Sequence, residues 1–236
     1  MERAANAREE MDRTDCDPLL LERTYKQFPL VNWFVSGWRG IYKTLIRPAL
    51  PRDRKATILD IGCGGGDITI NLARWATKDG FDVRVQGIDP DARAHDFAVR
   101  AADASGLGRS RVLFRRALSS ELVAEGQMFD VVVSNHLLHH LSPAELAGLL
   151  ADSSRLSSSL SIHNDIRRSR TALFLFGAAT LPLARTSLTR RDGLTSIRRS
   201  YLPEELEQLL PPRWKAQPAG LFRLQALYRS GNQPGA

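Results

Sequence analysis

Residues 60–66 carry the pattern of this chain that is best suited to binding a ligand, because they read D-I-G-C-G-G-G directly after an apolar run. Glycine accepts a positive φ and has no side chain, so a glycine-rich strand-to-helix turn brings backbone N–H groups close to a ligand. A dinucleotide-binding fingerprint, Gly-x-Gly-x-x-Gly, would need a third glycine at position 67, which is Asp67. The glycine spacing therefore argues against a dinucleotide site.

A second acid follows the next predicted strand. Asp89 ends the strand predicted at Arg84–Asp89 and is followed by Pro90. In a doubly wound sheet the first two strands lie side by side, so we expect Asp89 at the same edge as the glycine turn. A carboxylate there can accept hydrogen bonds from both hydroxyls of a ribose. An aspartate before proline also favours a turn, but its pairing with the glycine run favours the ribose interpretation.

The D-x-G-x-G-x-G pattern resembles motif I of the class I S-adenosylmethionine (SAM) methyltransferases. This resemblance implies SAM as the cofactor, and it places Asn135, the last residue of a predicted fourth strand, at the methionyl end. The residues that it implies in cofactor binding are Asp60, Gly62, Cys63, Gly64, Gly66, Asp89, Pro90, Asn135 and His136.

The chain departs from the family pattern at two places. Residues 114–118 contain no acid that could bind the adenine amino group, so we expect backbone or apolar contacts to hold the adenine. Residues 157–159 are serines where the family has a glycine-rich turn before the fifth strand.

Three histidines, His136, His139 and His140, offer chemistry after the fourth strand. Methylation of a phenol or alcohol requires removal of its proton, and histidine is the usual base near neutral pH. Residues 138–142 resemble the segment that carries the catalytic histidine of plant-type phenolic O-methyltransferases, which implies His139 as the base. Those enzymes have Asp where this chain has His140. The alternative, which stays open, is that the histidines cap the next helix and pack under the cofactor.

A metal site is a competing interpretation, because His136, His139 and His140 share one face of a helical turn. The spacing resembles a carboxylate-carboxylate-histidine cluster in quinone-type catechol methyltransferases, with histidines in place of the acids. Imidazole nitrogens disfavour magnesium, so we predict no metal. Asp165, after the fifth predicted strand, completes the predicted catalytic set of His139, His140 and Asp165, although it could also cap a helix.

Strand and helix patterns alternate over residues 56–165, as a doubly wound parallel sheet requires. The predicted strands are Thr57–Gly62, Arg84–Asp89, Arg111–Arg115, Phe129–Asn135 and Leu160–Asn164, and the predicted helices between them are Asp67–Ala76, Ala92–Ala104 and Pro143–Arg155. A helix at Pro203–Leu210 and strands at Trp214–Pro218 and Leu221–Tyr228 resemble the antiparallel hairpin that closes this fold. The predicted class is α/β, with a Rossmann-like, mostly parallel, seven-stranded sheet.

Two regions flank this alternation and define the predicted domains. Residues 1–50 are predicted as an N-terminal tail and helical cap, frayed over 1–14 and amphipathic from Pro18 to Leu50. Residues 51–236 are predicted as the methyltransferase domain, with a substrate-pocket insertion at 166–200. Within it, a helix at Ala172–Leu183 is predicted to precede a turn-rich link at Thr189–Gly193.

Composition fits one globular domain, with 236 residues, 43% hydrophobic and 25% charged. Two cysteines cannot form a disulfide framework, and no apolar leader precedes residue 24, so we expect a cytoplasmic protein. The longest apolar stretch, Thr171–Ala184, is shorter than the roughly 20 residues of a membrane helix, and no membrane insertion is expected.

The formal net charge of +7 could indicate a nucleic-acid partner, but only five of the 33 basic residues are lysine. A densely basic run lacks interleaved aromatic residues, so a solvated or substrate-steering face is favoured over an RNA track. It comprises Arg167, Arg168, Arg170, Arg185, Arg190, Arg191, Arg198 and Arg199.

Together these features predict an enzyme that methylates a small, largely apolar or aromatic acceptor, with O-methylation of a phenolic, quinol or polyketide-like compound favoured. The alternatives are C- or N-methylation of a similar acceptor, RNA modification, or SAM binding without catalysis. A monomer or homodimer is expected.

Overall fold

A seven-stranded sheet forms the centre of the molecule in the computed structural model, which describes residues 1–231. The strand order is β3-β2-β1-β4-β5-β7-β6. The strands are β1 (Ala56–Ile61), β2 (Val83–Ile88), β3 (Val112–Arg115), β4 (Phe129–Asn135), β5 (Ser157–Ile166), β6 (Trp214–Pro218) and β7 (Arg223–Arg229). The first five run parallel, whereas β7 is antiparallel to both β5 and β6. The predicted fold class is confirmed.

Helices cover both faces of this sheet, which is why the central strands are almost continuously apolar. They are α4 (Asp67–Lys78), α5 (Ala92–Ser105), α6 (Ser119–Ala124) and α7 (Pro143–Leu156). Alternate residues of β1 enter different cores, with Ile58 packing on the side of Leu72 and Leu59 on the side of Leu150. All four side chains are fully buried.

Three local details differ from expectation. Helix α6 was not predicted, because six residues give too short a periodicity. The helix predicted at Asp67–Ala76 begins at Asp67 after a cap at Gly66, which has φ +79°, but it extends to Lys78. Helix α7 ends at Leu156 and β5 begins at Ser157, so no glycine turn is needed between them.

Residues 18–50 are helical as predicted, but α1 leaves Leu30, Trp33 and Phe34 exposed instead of burying them in one apolar face. Helix α1 (Pro18–Val35) precedes α2 (Trp38–Ile41), a π-helical turn (Tyr42–Ile46) and α3 (Arg47–Ala49). Trp38, Tyr42 and Ile46 are buried against the core.

The first 14 residues were predicted to fray, and that prediction is wrong. The N–H of Ala4 donates to the carbonyl of Arg198 at 3.0 Å, and the carboxylate of Asp192 accepts hydrogen bonds from the N–H groups of Glu10 and Met11 at 2.8 and 3.1 Å. The polar segment is ordered because side chains of a distant part of the chain satisfy its backbone.

That distant part is the insertion after β5. It contains α8 (Arg170–Ala179), a 3-10 turn (Leu181–Leu183), α9 (Thr189–Arg199) and α10 (Pro203–Glu207). The turn-rich link predicted at Thr189–Gly193 is wrong, because these residues form the first turns of α9. A Cβ on Gly193 would lie 2.4 Å from the Phe176 ring, so this glycine allows α8 and α9 to pack closely.

The division into residues 1–50 and 51–236 stays a prediction, and positions 232–236 of the second part lie outside the described residues. Among the helices that the structure describes, none has the length and apolar character needed to cross a bilayer.

Candidate active site

One cavity of about 780 Å³ lies at the carboxyl edge of the parallel strands, between the sheet, α1, the first residues of the chain and the insertion. Eight of the nine predicted cofactor residues line it, as do two of the three predicted catalytic residues. The lining members are Asp60, Gly62, Cys63, Gly64, Asp89, Pro90, Asn135, His136, His139 and His140. The structure thus brings the two predicted sites into one space.

Gly66 and Asp165 lie behind the wall of this cavity. A Cβ on Gly66 would come within 2.5 Å of the Phe114 ring, so this glycine permits close packing at the start of α4. Asp165 lies beneath His139, where its carboxylate bonds to that ring.

The glycine turn presents bare backbone to the cavity. Gly62 and Gly64 adopt positive φ values of +66° and +51°, which favour glycine. The Gly64 N–H donates to the Asp89 carboxylate at 2.9 Å. Apart from Gly64 and its two chain neighbours, no described residue has an atom within 4 Å of the position that a Gly64 Cβ would occupy. This open cradle fits a ligand that must approach the backbone.

Two buried acids support the turn. Asp60 accepts a hydrogen bond from the Thr69 hydroxyl at 2.6 Å, while its other oxygen has no partner among the described residues. Burial, together with the nearby Asp67 and Asp89 charges, raises the pKa of Asp60 to about 7. Asp89 also accepts from the Asp91 N–H at 2.9 Å. Unpaired acceptor capacity beside the cradle fits a ligand with an amine and hydroxyl groups, as SAM has.

His139 is held between two carboxylates. Its Nδ1 lies 2.7 Å from Asp165, which also accepts from the His139 N–H at 2.9 Å, and its Nε2 lies 3.3 Å from Glu9. Burial acts to lower the pKa of His139, but the Asp165 and Glu9 carboxylates outweigh it and raise that pKa to about 9. The ring is therefore oriented by Asp165 and occupied at Nε2 by Glu9.

Glu9 comes from the segment that was predicted to fray, and it is 3% exposed. Its Oε1 accepts from the Ser196 hydroxyl at 2.8 Å and lies 3.6 Å from the Nε2 of His140. His140 in turn contacts Asp12 through Nδ1 at 3.1 Å. Residues 9–12 thus close over both predicted catalytic histidines.

The three-histidine metal hypothesis does not match this arrangement, because Nε2 of His136 accepts a hydrogen bond from Arg223 instead of facing the other two rings. Ligand-type atoms of Glu9, His139 and His140 do lie within 4.8 Å of one another. In this structure those atoms pair with each other, and the prediction of no metal stays a prediction.

His136 and Arg223 form a separate polar group at the end of β4. His136 adopts φ +57°, an unusual backbone conformation for a residue with a side chain, and its N–H donates to the Asn164 carbonyl at 2.9 Å. Arg223, the first residue of β7, also donates to Asn135 Oδ1 at 3.0 Å. Burial and the Arg223 charge hold the pKa of His136 well below its usual range.

Sequence reasoning missed Glu9, Asp192 and Arg223. The first two lie in segments interpreted as a frayed tail and a turn, and Arg223 lies in a predicted strand with no motif around it. Their separation from their partners, 87 residues or more, explains the omission, because no local pattern marks such contacts.

Two arginines of the predicted basic run are buried inside the fold. Arg168 bonds to Glu205 at 2.5 Å and to the carbonyls of Met1 and Ser200, both at 2.9 Å. Arg199 is also buried and bonds to the His140 carbonyl at 3.1 Å. These two arginines hold the insertion together and are withdrawn from any external basic face.

Comparison with known proteins agrees with this geometry. Residues 58–158 match the family described as a methyltransferase domain. The chain is 34% identical over 89 residues to a ubiquinone biosynthesis O-methyltransferase of Rhizobium etli, covering 38% of this chain and 32% of that protein. It is 38% identical over 86 residues to the Roseobacter denitrificans protein of the same name, covering 36% and 31%. The chain thus spans about a third of the length of these relatives.

Solved structures extend the likeness to most of the chain at the level of fold. An O-methyltransferase family protein from Burkholderia thailandensis superposes with a TM-score of 0.62 at 15% identity, covering 90% of this chain and 60% of that one. Magnesium protoporphyrin IX methyltransferase from Synechocystis, solved with bound SAH, gives 0.53 at 15% identity, covering 92% and 87%. By sequence, residues 58–158 are similar to a methyltransferase domain, and over most of its length the chain shares the fold of solved methyltransferases.

Proposed function

We propose that this chain transfers a methyl group from SAM to a hydroxyl of a small, largely apolar aromatic acceptor. The observation that carries the proposal is His139, oriented by Asp165 with its Nε2 toward the cavity. The names of the partial-length relatives also support oxygen as the methylated atom.

The glycine turn indicates which end of the cavity holds the cofactor. We assign the ribose hydroxyls to Asp89 and the nearby chain of the cofactor to the Gly64 cradle and Asn135. When bound, SAM supplies an electrophilic methyl group on a sulfonium, and the protein's part is then to align an acceptor with it. Orientation alone can supply effective molarities of about 10⁵–10⁸ M.

Much of the wall at the acceptor end is apolar. Aromatic and aliphatic side chains from α1 and the insertion line it: Phe28, Val31, Phe34, Leu175, Phe176 and Ile197. Such a wall suits an aromatic ring.

We assign proton removal to His139 Nε2. The acceptor hydroxyl would take the place of Glu9 at that nitrogen and donate its proton to it, and bound SAM would supply the methyl group that the acceptor oxygen receives. Asp165 stabilises the imidazolium that results. Replacement of Glu9 matters because it frees Nε2 and removes one of the two carboxylates that raise the pKa of His139. A protonated imidazole cannot act as a base.

The test is a screen of phenols, quinols and catechols with isotope-labelled SAM, followed by mass spectrometry to locate the methyl group. With an acceptor found, His139→Gln should lower kcat by roughly 10²–10⁴-fold while SAM affinity is retained. His95→Gln, a partly exposed histidine of α5, is the matched control. Methylation on carbon or nitrogen, or full turnover by His139→Gln, would contradict the proposal, and an unchanged rate with a chelator would exclude a metal.

A further inference from the structure

Arg223 is a buried cation in the wall of the cavity that the proton-transfer chemistry does not use. Its side chain is 5% exposed, yet the residue lines the cavity between Asn135 and His136. Burial lowers the pKa of Arg223 to about 10, so the guanidinium remains positively charged at neutral pH.

The hydrogen-bond partners of this guanidinium are neutral. Asn135 contributes an amide oxygen, and His136 accepts through Nε2, which therefore carries no proton. The Nε of Arg223 has no partner among the described residues. A buried charge without an opposite charge is costly, so such groups are normally paired.

Among residues 1–231, no carboxylate oxygen lies within ion-pair distance of Arg223, although Asp165 is close enough to influence its pKa. Both oxygens of Asp165 are already engaged by His139 and by the Ile166 N–H. Arg168, which is buried to a similar extent, is paired with Glu205. Unlike Arg168, Arg223 therefore has no carboxylate partner among the described residues.

Its neighbours hold the guanidinium in place. Arg223 lies opposite Ile166 in the antiparallel β5–β7 pair. His136 keeps its left-handed backbone conformation between the Arg223 side chain and the Asn164 carbonyl. Strained residues of this kind often mark functional sites. The cation is therefore a fixed part of the wall.

We propose that Arg223 binds a carboxylate carried by the acceptor, which makes the natural substrate class acidic aromatic hydroxy compounds. This rests on the proposed function. The methionyl carboxylate of SAM is the other source of the same chemistry. The guanidinium reaches Asn135 at the end of β4, the strand that pairs with β1. Leu221 and Phe222, which line the cavity beside Arg223, are apolar; they favour the acceptor, and titration with SAH separates the two sources.

The test measures binding and does not need turnover. Two probes that differ only in a carboxylate, 3,4-dihydroxybenzoate and catechol, are titrated by calorimetry into the full chain saturated with SAH. The wild-type chain should prefer the carboxylated probe by about tenfold or more, because hydrogen bonds between charged groups are strong. Equal affinity for the two probes, or failure of both to bind, would overturn the proposal.

Two variants separate recognition from folding. Arg223→Gln should abolish the preference for the carboxylated probe without weakening the binding of SAH or of catechol. Arg223→Lys should retain part of that preference. Asn135→Asp, which leaves Arg223 in place but supplies it with an internal carboxylate, should also abolish the preference. If Arg223→Gln weakens SAH and not the probe, the carboxylate belongs to the cofactor and the acceptor assignment is wrong. A carboxylate preference without O-methylation would refute the proposed function alone.

Discussion

The two ends of the cavity are built in different ways. At the cofactor end, consecutive backbone groups of residues 62–65 and the carboxylates of Asp60 and Asp89 shape the surface. At the acceptor end, side chains from distant segments meet, namely Glu9, His139 and Arg223. A side chain added to a surface made of backbone obstructs the ligand. A single substitution in a surface made of side chains changes which groups contact the ligand.

The two ends also differ in charge. Burial raises the pKa values of Asp60 and Asp89 at the cofactor end, where acids face few cations. At the acceptor end His139 is flanked by carboxylates that raise its pKa to about 9. The cofactor end therefore presents hydrogen-bond acceptors to a polar, cationic cofactor. The acceptor end holds the histidine to which we assign proton removal.

The largest effect is expected where a side chain is added to the backbone surface. Gly64→Val should weaken SAM binding by roughly 10- to 100-fold, because overpacking costs about 1–3 kcal/mol and tenfold in affinity corresponds to about 1.4 kcal/mol. Calorimetry with SAM measures it directly. Gly80→Val is the matched control, since Gly80 has a positive φ of +82° and open space around it but lies outside the cavity. Equal losses in the two variants would mean that the effect is backbone strain alone.

A second substitution tests whether the acceptor end depends on packing in the insertion. Gly193→Ala places a methyl group against Phe176 and should lower the free energy of unfolding by about 1–3 kcal/mol. Gly148→Ala, on the exposed face of α7 with nothing within 4 Å of its added Cβ, should raise it by about 0.5–1 kcal/mol. Urea denaturation compares both with the wild type. If Gly193→Ala is as stable as the wild type, α8 and α9 do not pack as described.

The smallest effect is a shift in pH dependence. Glu9→Gln removes a carboxylate that favours the imidazolium, so the pKa of His139 falls and the deprotonated base is present at lower pH. The acid limb of the kcat/KM profile should move down by about one pH unit. The His139 ring resonances, followed by NMR in the free protein, should show the same shift.

The control for this shift is Glu10→Gln, in the same segment, whose side chain lies 3.6 Å from Arg191 and does not contact His139. A profile that moves equally in both variants would show that general surface charge, and not the Glu9 contact, sets the pKa.

Much of the sheet and the glycine turn could be predicted because their signals are local. The parallel strands β1, β2 and β4 are short apolar runs, and the glycine register at 62–66 lies within a few bonds of the strand that positions it. A turn that needs positive φ restricts the residue types that can occupy it. The resemblance that implies SAM rests on residues under such short-range restrictions.

Other elements gave misleading local signals. Thr189–Gly193 has the composition of a turn, yet it begins α9, because Gly193 serves the contact with Phe176. Residues 1–14 have the polarity of a loose tail, yet Asp192 and Arg168 bind their backbone. In both places tertiary contacts outweighed local preference.

The sequence by itself determined that this chain carries a SAM-type glycine turn after β1 and a histidine pair after β4, because each motif is a property of neighbouring residues. Only the tertiary structure decided what those histidines face. Glu9 is 130 residues from His139, and Arg223 is 87 residues from His136. Such contacts arise when strands and insertion pack together, which no local pattern encodes.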